Sequence, residues 1–326
     1  MTLLITHPAF VRHAPPEGHP ERPDRIRVVE KVLAHELFSG LPHEEAPLGA
    51  DEAIARAHPE SYIRRIVTSE PEPGEAARPL DPDTWMSHGS VEVGRRAVGA
   101  GVRGVDAVMK GEAGNVFCAV RPPGHHAERE RAMGFCLFSS IAIAGLHARA
   151  VHGAERIAVV DFDVHHGNGT QDVFWADRDL FYASTHQMPL YPGTGSPAER
   201  GVGNNILNVP LRPGDGGREF RAAMKESVLP ALKNFRPDIL LVSTGFDAHR
   251  DDPLASLEFT EEDFVWATLV LMEAADRHCG GRLVSMLEGG YDLGALARST
   301  AMHVQALVRG TGEVEAPDLE EADDER

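Results

Sequence analysis

The 326-residue sequence predicts an α/β fold in which a central parallel sheet is covered by helices on both faces. Short apolar runs rich in β-branched residues alternate with longer amphipathic segments, which is the pattern of buried parallel strands and covering helices. Clusters of His, Asp and Gly follow several of the strand runs. Because the carboxyl ends of parallel strands meet at one edge, these clusters predict a functional site there.

The strand and helix predictions follow the apolar pattern along the chain. Strands are predicted at residues 3–6, 115–120, 156–161, 180–184, 205–211, 238–243 and 282–287. Helices are predicted at residues 24–38, 87–109, 139–152, 219–232, 260–278 and 293–308. Thr260 precedes three acidic residues, and a side-chain acceptor followed by acids is typical of a helix start.

The sequence predicts one domain over residues 1–310, because neither a repeat nor a long linker interrupts it. The proline-rich segment 70–83 is interpreted as a surface loop, and the acidic segment 311–326 as a disordered tail. The formal net charge of −18 disfavours direct binding of nucleic acid or of anionic membranes. The absence of a secretory signal or long apolar run, and three widely spaced cysteines, favour a cytoplasmic protein with reduced thiols.

Metal-binding residue types follow two of the predicted strands. The segment Asp161-Phe162-Asp163-Val164-His165 comes directly after one strand, and alternation along an extended chain would place residues 161, 163 and 165 on one side. Asp247 follows another strand and offers a third ligand. A single aspartate at such a position is more often a helix cap or loop carboxylate. Two oxygens and one nitrogen together, with a position left for water, fit catalytic Zn²⁺.

Five motifs carry a resemblance to a known family. They are RPPGHHA followed by MGFC, DFDVHHGNGT, YPGTG, GFDAHRDDPLASL and EGGY, in that order. With these motifs, roughly residues 15 to 308 resemble the histone deacetylase family, most closely its class II and bacterial deacetylase-like branch. The resemblance implies the arginase/deacetylase fold and zinc-dependent hydrolysis of an acetylated amine, with an acetylated lysine side chain as the expected substrate.

The resemblance also implies roles for individual residues. Zinc, with Fe²⁺ as the alternative native metal, would be held by Asp163, His165 and Asp247. The catalytic residues would be two adjacent histidines, their polar partners and a tyrosine, namely His125, His126, Asp161, Asn168 and Tyr291. A structural potassium ion would bind the backbone oxygens of Asp161, Asp163 and His165, together with Ser184 and Thr185.

A substrate tunnel is implied by the same resemblance. Its expected lining residues are Gly134, Phe135, Tyr191 and Leu254, and Leu254 offers a neutral rim that favours acyl-lysine over acetylpolyamine substrates. Asp83 is either a rim residue that contacts the substrate or part of a surface turn. Arg25 matches an arginine below the catalytic floor.

The implied mechanism divides the work between three side chains. His126, oriented by Asn168, would accept a proton from the attacking water and deliver one to the leaving amine. His125, paired with Asp161, would stay cationic. Tyr291 would donate a hydrogen bond to the developing oxyanion.

The sequence is also compatible with two other functions. The chain could be a small-molecule amidohydrolase acting on acetylpolyamines or another N-acyl metabolite, or a non-enzymatic acyl-amine binding module. A dinuclear ureohydrolase is disfavoured, because Asp247 is followed two residues later by His249 rather than by a second acid. The sequence leaves the acyl length and the oligomeric state open. His58, His147, His249 and His303 are interpreted as surface or satisfied core residues.

Overall fold

The computed structural model describes residues 1–310, and an eight-stranded parallel sheet runs through their centre. The strand order is β2-β1-β5-β10-β9-β6-β7-β8. The strands are β1 (Thr2–Thr6), β2 (His43–Glu45), β5 (Asn115–Cys118), β6 (Ile157–Asp161), β7 (Leu180–Gln187), β8 (Ile206–Leu211), β9 (Ile239–Thr244) and β10 (Leu283–Leu287). The predicted fold class is therefore confirmed. The predicted tail, residues 311–326, lies outside the described residues.

Helices cover this sheet, and most of the predicted ones are present. The α-helices are α1 (Asp24–Leu33), α2 (Asp51–Ile54), α3 (Glu60–Thr68), α4 (Ser90–Met109), α5 (Ser140–His152), α6 (Asn168–Phe174), α7 (Gly217–Ala223), α8 (Leu229–Phe235), α9 (Glu261–Cys279) and α10 (Leu293–Arg309). α4 packs against α5 in one layer, and α9 packs against α10 in another. The start of α9 is as predicted, since Thr260 and Asp263 form a capping box.

Two predicted helices are wrong in their extent. The helix expected over residues 24–38 ends at Leu33, because His35 adopts an extended backbone and caps a separate 3-10 turn at Glu36–Phe38. The helix expected over residues 219–232 is divided into α7, a π-helical turn and α8. Pro230 lies in the first turn of α8, and its missing N–H interrupts the α-helical hydrogen bonding there.

Several short elements were not predicted. β2 is polar and half exposed, so it lacks the apolar signature of a buried strand. A small antiparallel pair, β3 (Arg78–Pro79) with β4 (Trp85–Met86), lies at the end of the predicted surface loop. The three cysteines are buried and form no disulfide, as expected. Within residues 1–310, every helix is too short or too polar to cross a lipid bilayer.

His303 is a satisfied core residue, which is one of the two interpretations given for it from the sequence. Its ring nitrogens pair with the hydroxyls of Thr268 (2.7 Å) and Ser285 (2.9 Å) between α9, α10 and β10. Burial lowers the pKa of His303 to about 3. Between pH 6.5 and about 3, His303 is therefore neutral in the folded protein but protonated in the unfolded chain.

This difference predicts a pH-dependent loss of stability. As the pH falls from 6.5 towards 3, the free energy of unfolding should decrease, because protons bind the unfolded chain preferentially. The variant His303→Gln should reduce the slope of that decrease by about 1.4 kcal/mol per pH unit, the contribution of one proton. Urea denaturation between pH 7 and pH 5 measures both slopes. The exposed His43, replaced by Gln, is the control, and equal slopes for His303→Gln and the wild type would contradict the prediction.

Candidate active site at the carboxyl edge of the sheet

The predicted site residues lie in loops that follow four adjacent strands. The strands β5, β10, β9 and β6 are neighbours in the middle of the sheet, and each is fully buried. The motifs 121–126, 163–165, 245–247 and 288–291 follow these strands directly. Parallel pairing thus brings these four motifs to one edge of the sheet, as expected for this class of sheet. The first and the last of them are separated by about half the length of the chain.

Three side chains at this edge form a candidate metal site. One ligand atom each from Asp163, His165 and Asp247 lies within 4.8 Å of the others, and all three residues are buried. His165 Nδ1 is 3.2 Å from Asp163 Oδ1 and 3.2 Å from Asp247 Oδ2. The sequence prediction placed these three residues together, and the structure brings them together.

The local reason for this arrangement differs from the one predicted. β6 ends at Asp161, so strand alternation does not extend to His165. Instead, Asp161 Oδ1 accepts a hydrogen bond from the backbone N–H of Asp163 (3.1 Å), and Asp163 Oδ1 accepts one from the backbone N–H of His165 (2.9 Å). The two aspartates therefore shape the turn through side chain-to-backbone hydrogen bonds.

The chemistry of these groups fits a divalent cation. Burial alone would lower the pKa of His165, but its hydrogen bonds to Asp163 and Asp247 outweigh burial and raise that pKa to about 10. The two carboxylates thus stabilise positive charge at this point. Gly289 lies against them, since a Cβ there would be 1.9 Å from Asp247 Oδ2. Only glycine fits this close approach, and its N–H donates to Asp163 Oδ2 (2.8 Å).

His125 lies beside the candidate metal site and is paired with a carboxylate. Its Nδ1 is 3.0 Å from Asp161 Oδ2, and its Nε2 is 3.8 Å from Asp163 Oδ1. The hydroxyl of Tyr182 also donates to Asp161 Oδ2 (2.9 Å), which fixes the position of that oxygen. Burial would lower the pKa of His125, but Asp163 and Asp161 raise it well above the usual value. A protonated ring is therefore favoured at position 125.

His126 has a neutral partner instead. Its Nδ1 donates to Asn168 Oδ1 (2.8 Å), and Asn168 Nδ2 donates to Glu128 Oε1 (2.8 Å), which fixes the orientation of the amide. The tautomer that results leaves His126 Nε2 without a proton. Burial and the nearby positively charged rings of His125 and His165 place the pKa of His126 well below the usual value. His126 is therefore suited to accept a proton, whereas His125 is not.

Tyr291 follows β10 and is held from below by Arg25. The guanidinium carbon of Arg25 lies 4.7 Å from the centre of the Tyr291 ring. Arg25 also donates to the backbone oxygens of Glu288 (2.6 Å) and Gly290 (2.6 Å), so it fixes the loop that carries the tyrosine. Burial raises the pKa of Tyr291 well above its usual value, which keeps the hydroxyl protonated as a donor.

A cavity of about 220 Å³ opens above these residues. It is lined by His126, His165 and Tyr291, by all five predicted substrate-binding residues, and by Leu190, which was not predicted; the five are Asp83, Gly134, Phe135, Tyr191 and Leu254. Tyr191 presents its ring edge-on to His126 at 5.2 Å between centroids. Leu254 leaves the rim of the cavity apolar on its side.

The wall opposite Tyr191 depends on an unusual backbone at Gly134 and Phe135. Both residues have positive φ, 56° and 67°, and Phe135 is a bulky residue for which that conformation is strained. Asp83 Oδ1 accepts from the N–H of Gly134 (3.2 Å), and Thr84 Oγ1 accepts from the N–H of Phe135 (3.0 Å). Asp83 thus lies at the cavity rather than in a remote surface turn.

The residues predicted for potassium lie behind the candidate metal site. The hydroxyl of Thr185 is buried and has no hydrogen-bond partner. The hydroxyl of Ser184 contacts His186 Nδ1 (2.9 Å) and keeps acceptor capacity. An unpaired buried oxygen beside the turn at 161–165 is compatible with a cation there.

Two buried carboxylates at this edge were not predicted as site residues. Glu288 Oε2 accepts from the N–H groups of Gly124 (2.6 Å) and His125 (3.2 Å), while its Oε1 accepts from Ser243 Oγ (3.1 Å). Burial raises the pKa of Glu288 to about 7. The second carboxylate is Asp252, whose pKa is raised to about 7 by burial and by the charge of Asp247. Both lie within sequence motifs that were identified, so membership of those motifs could have marked them as site residues.

A second group of metal-binding residue types lies away from this edge. His147 Nε2 and His152 Nε2 are 2.8 and 2.6 Å from Asp106 Oδ1, between α4 and α5. Arg56 Nη1 lies 3.3 Å from His147 Nδ1, so that nitrogen acts as the acceptor and Nε2 carries the proton. This pattern is that of a neutral histidine that donates a hydrogen bond to the aspartate, which agrees with the interpretation of His147 as a satisfied residue.

Comparisons with known proteins agree with this architecture. Residues 19–307 match the histone deacetylase domain. The chain is 42% identical over 280 residues to the histone deacetylase-like amidohydrolase of Pseudomonas aeruginosa, covering 84% of this chain and 73% of that protein. It is 39% identical over 311 residues to a probable deacetylase of Methanothermobacter thermautotrophicus, covering 94% and 90%. The crystal structure of the HDA15 HD domain matches with a TM-score of 0.86 at 31% identity, covering 94% of this chain and 91% of that one.

Proposed function

The chain belongs to the histone deacetylase family and is a hydrolase, and we propose that it is a zinc-dependent deacetylase acting on N-acetyl-lysine or a similar N-acylated amine. One observation carries the proposal. The buried group Asp163, His165 and Asp247 adjoins a narrow cavity that also exposes His126 and Tyr291. A cation site, a base and a hydroxyl donor therefore face the same small volume.

The proposed metal ligands are Asp163, His165 and Asp247. When bound, a zinc ion supplies polarisation of the substrate carbonyl and a lower pKa for water. Asp161 contributes indirectly, because its side chain holds both the turn that carries Asp163 and the ring of His125.

The protein side chains would divide the proton transfers and the charge stabilisation. His126 Nε2 removes a proton from the attacking water and later protonates the nitrogen of the leaving amine. His125 stays cationic beside Asp161 and stabilises negative charge as the carbonyl is attacked. The Tyr291 hydroxyl donates a hydrogen bond to the oxygen that becomes negative. The shifts in the pKa of the two histidines support this division of roles.

The cavity supports an extended aliphatic substrate. Phe135 and Tyr191 supply aromatic surfaces for a methylene chain, and Leu254 provides a rim without charge. Asp83 keeps one face towards the cavity, where it could accept a hydrogen bond from the substrate amide. The uncharged side chain of Leu254 favours acyl-lysine over acetylpolyamines, whose additional ammonium groups would gain nothing from it.

Further elements of the proposal concern the setting of the enzyme. We propose a structural potassium ion bound by the backbone oxygens of Asp161, Asp163 and His165, with Ser184 and Thr185, and the unpaired Thr185 hydroxyl supports it. We also propose that the enzyme is cytoplasmic, with a catalytic domain over residues 1–310 followed by an acidic tail. The enzyme is not expected to bind nucleic acid directly.

A substrate panel with and without a chelator tests the proposed function. Acyl-lysine peptides of several chain lengths and acetylated polyamines are incubated with the zinc-loaded protein, and the released amine is measured. Acetyl-lysine hydrolysis that is lost on chelation and restored by zinc is the expected result. Faster hydrolysis of acetylpolyamines would favour a small-molecule amidohydrolase. Binding of acyl-amines without any turnover would contradict catalysis and indicate a binding module.

A further inference from the structure

Asp252 lies between the loop that carries Tyr291 and the rim residue Leu254. Its Oδ2 accepts hydrogen bonds from the backbone N–H groups of Tyr291 (2.7 Å) and Asp292 (3.4 Å). Its Oδ1 accepts from the backbone N–H of Leu254 (3.0 Å). One carboxylate therefore joins two segments, 252–254 and 291–292. Tyr291 lies 39 residues after Asp252 in the chain.

The side chain of Asp252 is buried, and backbone N–H groups are its hydrogen-bond partners. The residue is 6% exposed, and its backbone N–H donates to the oxygen of His249 (2.9 Å). The three N–H groups around the carboxylate are the partners that compensate its burial, since within residues 1–310 no basic side chain forms an ion pair with it. Three N–H groups from two segments thus share one buried side chain, which holds both backbones in place.

We propose that Asp252 is a positioning residue that fixes Tyr291 and Leu254 relative to each other on one wall of the cavity. Arg25 lies under the Tyr291 ring and holds the same loop at the backbone oxygens of Glu288 and Gly290. Asp252 fixes that backbone at the peptide N–H of Tyr291 itself. The same side chain fixes Leu254, so the width of the cavity and the height of the tyrosine hydroxyl are set together. This inference rests on the proposed hydrolase function of the site.

The two acceptor oxygens of Asp252 distinguish it from an asparagine. Both of its oxygens act as acceptors, one for Leu254 and one for Tyr291. An asparagine has the same shape but only one oxygen, so its amide group must face one of the two N–H groups. The variant Asp252→Asn should therefore release one of the two segments although it adds no bulk. A small displacement of a reacting group is enough to lower kcat strongly.

Steady-state kinetics of Asp252→Asn test this inference, with Asp251→Asn as the matched control. Asp251 is the neighbouring acid, half exposed, and it pairs with Arg298 on the outside of the loop. We expect kcat for Asp252→Asn to fall at least about tenfold at unchanged zinc content. Asp251→Asn should keep wild-type kcat and zinc content. Equal kinetics for the two variants, with an active wild type, would overturn the inference.

A double-mutant cycle separates positioning of Tyr291 from a general structural effect. If Asp252 acts through the Tyr291 hydroxyl, Asp252→Asn should change kcat less than about twofold in a Tyr291→Phe background. A further tenfold loss in that background would contradict positioning through Tyr291. An inactive wild type would instead refute the proposed function, so the two failures are distinguishable.

Hydrogen exchange on the wild-type protein provides a test that does not depend on the folding of a variant. The amides of Tyr291 and Leu254 lie outside helices and strands, and within residues 1–310 the hydrogen-bond acceptor of both is the side chain of Asp252. We expect both amides to exchange at least about tenfold more slowly than unbonded loop amides. Fast exchange at either amide would overturn the inference.

Discussion

The variant Tyr291→Phe should bind zinc as the wild type does and should lose most of its turnover. The substitution removes one hydroxyl from a ring that contacts Phe135 and Arg25, and neither contact requires the oxygen. Loss of a single donor to a developing oxyanion lowers kcat by about 10²–10³, which corresponds to roughly 3–4 kcal/mol of transition-state stabilisation. Because this hydrogen bond strengthens only in the transition state, KM should change much less than kcat.

Kinetics of acetyl-lysine hydrolysis together with metal analysis measure both expectations. Tyr62→Phe is a suitable control, since Tyr62 is buried and its hydroxyl donates to the backbone oxygen of Leu137 outside the cavity. That control should lose stability, by about 1 kcal/mol for one hydrogen bond, and retain kcat. Near-normal kcat for Tyr291→Phe would remove Tyr291 from the mechanism.

The sequence predicted the sheet well because buried parallel strands have a simple signature. β6 and β9 are continuous apolar runs, and their ends lie within one residue of the predicted ends. β2 was missed for the converse reason, since a polar strand at the sheet edge needs no apolar side chains. Its pairing with β1 depends on backbone hydrogen bonds, which the sequence does not display.

The candidate site could be predicted as a set of residues but not in its supporting contacts. Motif positions indicated that Asp163, His165 and Asp247 belong together, and they lie together. The role of Asp252 could not be predicted in this way, because it depends on the folded chain placing residue 252 next to residue 291. Such a contact depends on loop geometry across the sheet edge, and neither periodicity nor residue type encodes it.

The strained backbone of Phe135 is a second feature that the sequence could not reveal. The Gly134-Phe135 pair suggested a loop, but the sequence gives no indication that Phe135 itself adopts positive φ. That conformation depends on hydrogen bonds that the backbone N–H groups of Gly134 and Phe135 donate to Asp83 and Thr84, which are about 50 residues earlier in the chain. The same contacts place the carboxylate of Asp83 beside the cavity, which supports the first of the two roles left open for it.

The variant Asp247→Ala should release the proposed zinc ion. It leaves Asp163 and His165 as the remaining ligands, and two protein ligands are fewer than the three that catalytic zinc sites use. Loss of a group that only hydrogen-bonds to a ligand costs about 10–100-fold in metal affinity, so loss of a ligand itself should cost more than about 100-fold. After dialysis against a buffer with limiting zinc, the metal content should fall from about one ion per chain to a small fraction, by elemental analysis.

Two further variants separate loss of the ligand from loss of the local structure. Asp247 Oδ1 also accepts a hydrogen bond from the N–H of Val164 (2.9 Å), which Ala removes and Asn can keep. Asp247→Asn should therefore retain more thermal stability than Asp247→Ala and still bind zinc poorly, because it lacks the negative charge. Asp106→Asn changes the aspartate of the other His–Asp group and should leave the metal content at the wild-type level. Full zinc occupancy in both Asp247 variants, or loss of zinc in Asp106→Asn, would contradict the assignment of Asp247 as a ligand.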